Sequence, residues 1–316
     1  VAMLDEAIAV REILKKVDKD AAIYMLNGLP KDCEKELDHY NVIPILNSIK
    51  EIECWSAFAK VSNQIRHGVI NIDTGMSRLG LDSGELQRIA LNPQIAEGIN
   101  ITHVMSHLAC AEDELHWLNS VQMRRFKRFV DVLDLGQNSG CILSLANSSG
   151  IFLGEDYHFA LARAGAALYG INPQPTQINK MAGVLSLRAK VTQVRFVDSP
   201  TTVGYGATHQ INARTRVATV PVGYADGFLR ALGGRASAYI GDTCVPVIGR
   251  VSMDAITLDI SGVPEAVDVE TEPVELIGPR RPVDVVASEA GTIAYEILAR
   301  ISHRIRRVYI DEVGGE

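Results

Sequence analysis

Over residues 1–180 the hydrophobic positions fall into short apolar runs separated by amphipathic stretches. A helical pattern covers residues 4–17, with Leu4, Ala7, Ile8, Val10 and Ile13 on one face. The apolar runs AAIYML, VIPIL, HGVINID, NITHVM and CILSL follow. Helices are expected between them: near 31–38, over 48–60, from Ser83 with Glu85 behind it as a cap signal, and from about Asp113 to Val132. Runs bounded by polar loops are what strands buried on both faces of a parallel sheet look like. With Val1–Met3 and RAGAALYG included, they give seven strands. A parallel barrel needs eight strand–helix units. Almost no strand precedes the first helix, so the pattern reads as a barrel whose first βα unit is not in this sequence. On periodicity alone, an open doubly wound sheet accounts for it equally well.

Past Lys180 the texture changes. VLSLRAKVTQVRFV, TRVATVPV, ASAYI, CVPVIG, ITLDI and PVELIG alternate with Gly, Pro and Asp turns, as short antiparallel strands do. Only SEAGTIAYEILARI, near 288–301, looks helical. The linker is INPQPTQINK, which places a barrel-type domain at 1–178 and a mainly antiparallel β-domain at 179–316.

Composition narrows the function. Apolar residues are 47% and charged residues 22% of the 316, a globular balance. The net charge of −7 gives no reason to expect nucleic acid or an anionic membrane as partner. No run approaches the roughly 18 apolar residues of a membrane helix, and VAMLDEAIAVREILKK does not read as a signal peptide. Cys33, Cys54, Cys110, Cys141 and Cys244 are scattered and never in a CxxC pair. This usage fits a reducing cytoplasm and no cysteine metal site. A cytoplasmic enzyme or binding protein is expected.

Polar clusters sit just after the apolar runs, where barrel enzymes place their reacting groups. DTGMSRLG (73–80) carries Arg78, SHLACAED (106–113) carries His107, ANSSG (146–150) carries Asn147 and Ser148, and RAGAALYG (163–170) carries Arg163, Gly165 and Ala166. In the second domain VGYGATH (203–209) holds Tyr205, VGYADG (222–227) holds Tyr224, and GRVSMD (249–254) holds Met253. Each cluster also has a bland explanation. A glycine-flanked tyrosine is usually packing, a lone histidine a hydrogen-bonded core residue, and ANSSG a set of turn formers. None matches a Walker loop, GxGxxG or HExxH.

Taken together and in this order, the clusters resemble those of alanine racemases, over nearly the whole chain. The resemblance implies a (β/α)8 barrel followed by a β-domain, pyridoxal 5'-phosphate as cofactor, and interconversion of L- and D-alanine to supply D-alanine for peptidoglycan. It also implies a homodimer whose active site is shared across the interface. A racemase for serine or a broader set of amino acids would use the same residues. One family element has no counterpart: the Schiff-base lysine, in a VVKxNAYG-like motif at the end of the first barrel strand. That leaves a non-catalytic fragment as the rival class.

Residue by residue, the resemblance makes Tyr205 the base on the L-face, with His107 hydrogen-bonded to it. Arg163 would face the cofactor's pyridine nitrogen. A guanidinium carries only donors, so it favours an unprotonated ring nitrogen, a weaker electron sink and less transamination. Asn147, Ser148, Gly165 and Ala166 fall at phosphate-binding positions. Arg78 and the Met253 N–H would hold the substrate carboxylate, and Tyr224 would line the entrance. His303 stands where a phosphate-contacting tyrosine is often found, and its role stays open. Many family members carry a carbamylated lysine at the position of Asn71. The neutral amide predicts a bound anion, chloride, between Asn71 and Arg78.

Overall fold

A computed structural model describes residues 1–134 and 140–310, so the last six residues assigned to the second domain lie outside the described residues. The described residues divide into two compact units, those within 1–165 with 173–178, and 166–172 with those from 179 onward.

The first unit is built on five parallel strands in sequential order: β1 (Ile23–Met25), β2 (Val42–Leu46), β3 (Arg66–Asn71), β4 (Ile99–Met105) and β5 (Ile142–Ser144). Between them run α1 (Leu4–Lys16) ahead of β1, then α2 (Glu34–His39), α3 (Ile49–Ser62), α4 (Ser83–Leu91) and α5 (Trp117–Val132). The two remaining apolar runs are not full strands. At one edge Val1 bonds to Tyr24 and Leu26 through its backbone. At the other, Arg163 makes a single parallel bridge to Asn147. RAGAALYG turns instead into a 3-10 segment at Ala166–Tyr169, as small residues without β-branching permit.

Local chemistry sets the helix boundaries. Ser48 caps α3 through Glu51 N–H at 3.3 Å, and Asn63 ends it in the left-handed region. Ile49, Ile52, Trp55, Ser56 and Ala59 form its buried stripe. The cap of α4 is Asp82 rather than Ser83: its carboxylate takes Glu85 N–H at 2.8 Å while Glu85 returns to Asp82 N–H at 3.2 Å. Helix α5 starts at Trp117, four residues later than the pattern predicts. Asp113 bonds locally to Leu115 N–H and to the Asn119 amide, and such bonds compete with helix.

The second unit carries nine strands among the described residues: β6 (Leu187–Ala189), β7 (Gln193–Val197), β8 (Thr201–Val203), β9 (His209–Ile211), β10 (Thr215–Val220), β11 (Ser237–Ile240), β12 (Thr243–Ile248), β13 (Ile256–Asp259) and β14 (Val274–Ile277). Seven form an antiparallel sheet in the order β6-β14-β11-β12-β13-β10-β7, and β8 and β9 pair as a separate hairpin. The expected helix at 288–301 is two helices: α6 (Val283–Ala290) and α7 (Ala294–Arg300). Gly291, at φ +71°, caps the first and forces the break. No helix of the described residues is long and apolar enough to cross a membrane.

Among the described residues Arg281 is the largest fully buried side chain. It donates to the Leu276 carbonyl and pairs with Glu289. Removing one member of a buried pair leaves an uncompensated charge, at about 3–5 kcal/mol. Glu289→Ala is therefore expected to lower stability by about that much, read by urea unfolding. An Arg281→Met/Glu289→Leu double replacement should lie much closer to the parent. A double variant as unstable as Glu289→Ala would show that the charge is not the cause.

Candidate active site

Parallel register brings the ends of β3, β4 and β5 to one edge of the first unit, and the residues just beyond each strand line up there. A cavity of about 320 Å³ opens at this edge, lined by Asn27, Asn71, Asp73, Arg78, Ser106 and His107 over an apolar floor that includes Ile45 and Met105. No lysine is among its lining residues.

The loop carrying Arg78 is shaped by its own first residue. Asp73 Oδ1 accepts the N–H groups of Gly75, Met76 and Ser77 at 2.8–3.1 Å, an aspartate organising the turn that follows it. The loop closes where Leu81 pairs with Asn71 and Asp73 through its backbone. Gly80 sits at φ +113°, and a Cβ there would lie 2.7 Å from Asp73 N, so only glycine fits. Arg78 ends exposed at the cavity, with no salt-bridge partner among the described residues. Asn71 donates to Asn47 Oδ1 at 2.8 Å.

Arg163 is held without any carboxylate. Its guanidinium donates to Ser144 Oγ at 2.5 Å and to the Ser106 carbonyl at 2.6 Å, with a longer bond to the Leu145 carbonyl. Ser144 Oγ is fixed in turn by donating to the Leu161 carbonyl. Burial pulls the Arg163 pKa down to about 10, still charged at neutral pH. His107 is pulled down to about 4, first by burial and then by the positive charges of Arg163 and Arg78. It is therefore a neutral imidazole at physiological pH.

After β5, Asn147 caps a short helix (Ser148–Ile151) by accepting Gly150 N–H, and Ser148 and Ser149 are buried. Gly165 has an ordinary φ, and a Cβ there would meet nothing within 4 Å. Among the described residues, neither backbone strain nor a neighbour accounts for the glycine.

The second unit gathers the remaining candidates. Tyr205 stands at the tip of the β8–β9 hairpin between Gly204 (φ +76°) and Gly206 (φ +71°), 71% exposed. A Cβ at Gly206 would press on the Arg250 guanidinium at 3.0 Å. Tyr205, Tyr224, Arg230 and Arg250 line a second cavity of about 300 Å³. Tyr224 N–H bonds to the Ser252 carbonyl and Ala225 N–H to the Met253 carbonyl, so the VGYADG and GRVSMD turns are zipped together. The buried Asp226 takes Gly223 N–H at 2.9 Å, and Arg304 bridges Asp226 and Asp254. The Met253 N–H makes no hydrogen bond to another described residue.

Asn71, Arg78, His107 and Arg163 thus cluster in one unit, with the Asn147–Ser148 turn bridged to Arg163, while Tyr205 and Tyr224 cluster in the other. Met253 lies on the turn zipped to Tyr224. His303 is exposed and stays without an assigned role. Reading the sequence passed over Ser144 and Ser106, the anchors of Arg163. For Ser144 the available signal was a serine interrupting the apolar run CILSLA. It also passed over Arg250, which sits inside GRVSMD, and Arg230, for which the sequence carried no distinguishing signal.

Known proteins bear on this arrangement. The sequence model of the alanine racemase N-terminal domain matches residues 1–173, and that of the C-terminal domain matches 184–309. An alanine racemase from Rhodospirillum rubrum is 41% identical over 309 residues, 98% of this chain and 80% of that protein. A catabolic alanine racemase from Agrobacterium fabrum is also 41% identical, over 98% and 78%. Among solved structures, the alanine racemase of Bartonella henselae with covalently bound pyridoxal phosphate superposes with a TM-score of 0.91 at 37% identity, covering 98% of this chain and 84% of that one. The Streptomyces coelicolor enzyme gives a TM-score of 0.90 at 27% identity, with the same coverage. With both domain models matched and relatives at this identity, the chain belongs to the alanine racemase family.

Proposed function

We propose that this protein interconverts L- and D-alanine with pyridoxal 5'-phosphate as cofactor, supplying D-alanine for the cell wall. The observation that carries the reading is Arg163: a half-buried guanidinium locked by serine and carbonyl oxygens, with no acidic side chain paired to it, beside a histidine that its charge helps keep neutral. Such a group suits an unprotonated pyridine nitrogen. The open space over Gly165 and the turn at Asn147–Ser148 suit a phosphate. Bound there, the cofactor supplies the electron sink that an amino-acid α-proton needs before it can be removed.

The chain's own groups do the rest. Arg163 would hold the ring, and Asn147, Ser148, Gly165 and Ala166 the phosphate. Arg78 and the Met253 N–H would grip the carboxylate. Tyr205 would move the proton on the L-face, entering from the second protomer of a homodimer, which its exposure at a hairpin tip supports. A free phenol has a pKa near 10 and needs help. A neutral His107 has one ring nitrogen able to accept the phenol's hydrogen bond. With its pKa near 4, it orients the tyrosine and does not store the proton. Tyr224 would line the way in. Between Asn71 and Arg78, a chloride would satisfy the unpaired guanidinium, since the second Asn71 N–H has no partner among the described residues.

The direct test supplies pyridoxal phosphate and measures D-alanine from L-alanine and the reverse, with serine as competitor. No exchange in either direction would overturn the reading. Tyr205→Phe should slow racemisation by about 10²–10⁴-fold while cofactor absorbance is retained. Deuterium wash-in starting from L-alanine that matches the parent would remove Tyr205 from the reaction. For chloride, activity should rise with halide at fixed ionic strength, and bromide should give anomalous density between Asn71 and Arg78. A halide-independent rate with no such density removes the anion.

His107 gives a pH prediction whose sign follows from its pKa. The groups around it are Arg163, Arg78 and, on the same cavity wall, Asp73. Unfolded, a histidine titrates near 6.5; folded, this one does so near 4. As pH falls from about 6.5 to 4, the unfolded chain gains a proton that the native state refuses. The stability His107 contributes is present above pH 6.5 and lost across that window. Its imidazole proton resonances should show a midpoint near 4, and a midpoint above 6 would contradict the burial described here.

A further inference from the structure

Gln122 lies on α5, outside every motif singled out in the sequence, and is fully buried. Its carboxamide oxygen accepts Ala109 N–H at 2.9 Å. Its nitrogen donates to the His107 carbonyl at 2.9 Å and to Thr74 Oγ1 at 3.1 Å. The bonds beyond it have only one self-consistent direction. Ser106 Oγ donates to the Ile72 carbonyl at 2.7 Å, which is purely an acceptor. The Thr74 hydroxyl must therefore donate to Ser106 Oγ, 2.8 Å away, and accept from Gln122. Arg125 donates to the Thr74 carbonyl at 3.0 Å, and the Ser106 carbonyl receives Arg163. One buried side chain thereby joins the loop that presents Arg78, the segment that presents His107, and the serine whose carbonyl holds Arg163.

We infer that Gln122 is a positioning residue of the active site, fixing the loops of Arg78 and His107 against each other through its carboxamide and the Thr74–Ser106 hydroxyl chain. This rests on the proposed function only in calling that cluster an active site. The sequence signal is a polar pair, Asn119 and Gln122, set on the buried stripe that continues through Met123, Phe126, Phe129 and Val130. A core helix places such groups inward at a desolvation cost unless they are fully bonded, and Gln122 satisfies its oxygen and both of its N–H groups.

The test compares Gln122→Met, which keeps the length and loses all three bonds, with Phe129→Leu. Phe129 is buried on the same helix and makes no bond to the cluster. In the holoenzyme, Gln122→Met should lower kcat/KM for alanine by about 10- to 100-fold, the scale of a misplaced catalytic group, and raise KM through Arg78. The His107 midpoint, read by NMR well below the melting temperature, should move up toward 6.5 as its segment loosens among Arg163, Arg78 and Asp73. Phe129→Leu should lower Tm at least as much and move neither quantity. If Gln122→Met leaves the His107 midpoint and KM as in the parent, or changes them only as Phe129→Leu does, the inference is overturned. The NMR reading needs no turnover. A parent that fails to racemise alanine while the midpoint still shifts would sink the proposed function and leave the positioning role standing.

Discussion

The candidate site of the first unit depends on how one half-buried cation is held. Arg163 lies beyond the short helix at Ser148–Ile151 that follows the last strand of the parallel sheet, and its guanidinium reaches back to Ser144 on β5 and to the Ser106 carbonyl just past β4. A partly desolvated charge without a carboxylate needs oxygens around it, and the ends of two strands and the segment around Leu161 supply and fix them. That same charge helps hold His107 neutral. A structural requirement and an electrostatic one are met by the same bonds.

Around that anchor the site is assembled from short-range devices. Asp73 folds its own loop, Gly80 allows the loop to return, and Gln122 ties this loop to the neighbouring segment. The second unit works in the same manner. Asp226 and Arg304 pin the turn bearing Tyr224 to the turn bearing Met253, and glycines on both sides put Tyr205 at a hairpin tip. Arg78, Tyr205 and Tyr224 stand on loops or turns, and the loop of Arg78 and the turn of Tyr224 are each closed by backbone bonds. Geometry of this kind suits chemistry that depends on orientation.

Differences between the expected and observed elements have local causes. The α5 start moved because Asp113 bonds to nearby backbone and to Asn119. The single helix expected at 288–301 is broken by Gly291. RAGAALYG has the apolar content of a strand but small residues that turn as readily as they extend, and one bridge at Arg163 is all the pairing it makes. The β8–β9 hairpin was absent from the sequence reading because its strands, TTV and HQI, are mostly polar and form no apolar run.

By itself, the sequence determined the division into a parallel α/β unit and an antiparallel β-unit, because side-chain periodicity is local and survives without tertiary information. It also determined the order of the polar clusters, from DTGMSRLG to GRVSMD, that carries the family resemblance. It could not show that Ser144, Ser106 and Gln122 serve Arg163 and His107. Those contacts join residues 15 to 57 positions apart in the chain, and no local pattern encodes a bond across strands. Nor could it show that His107 is neutral. That depends on burial and on two arginines brought near it only by folding, a field that exists in three dimensions and not along the chain.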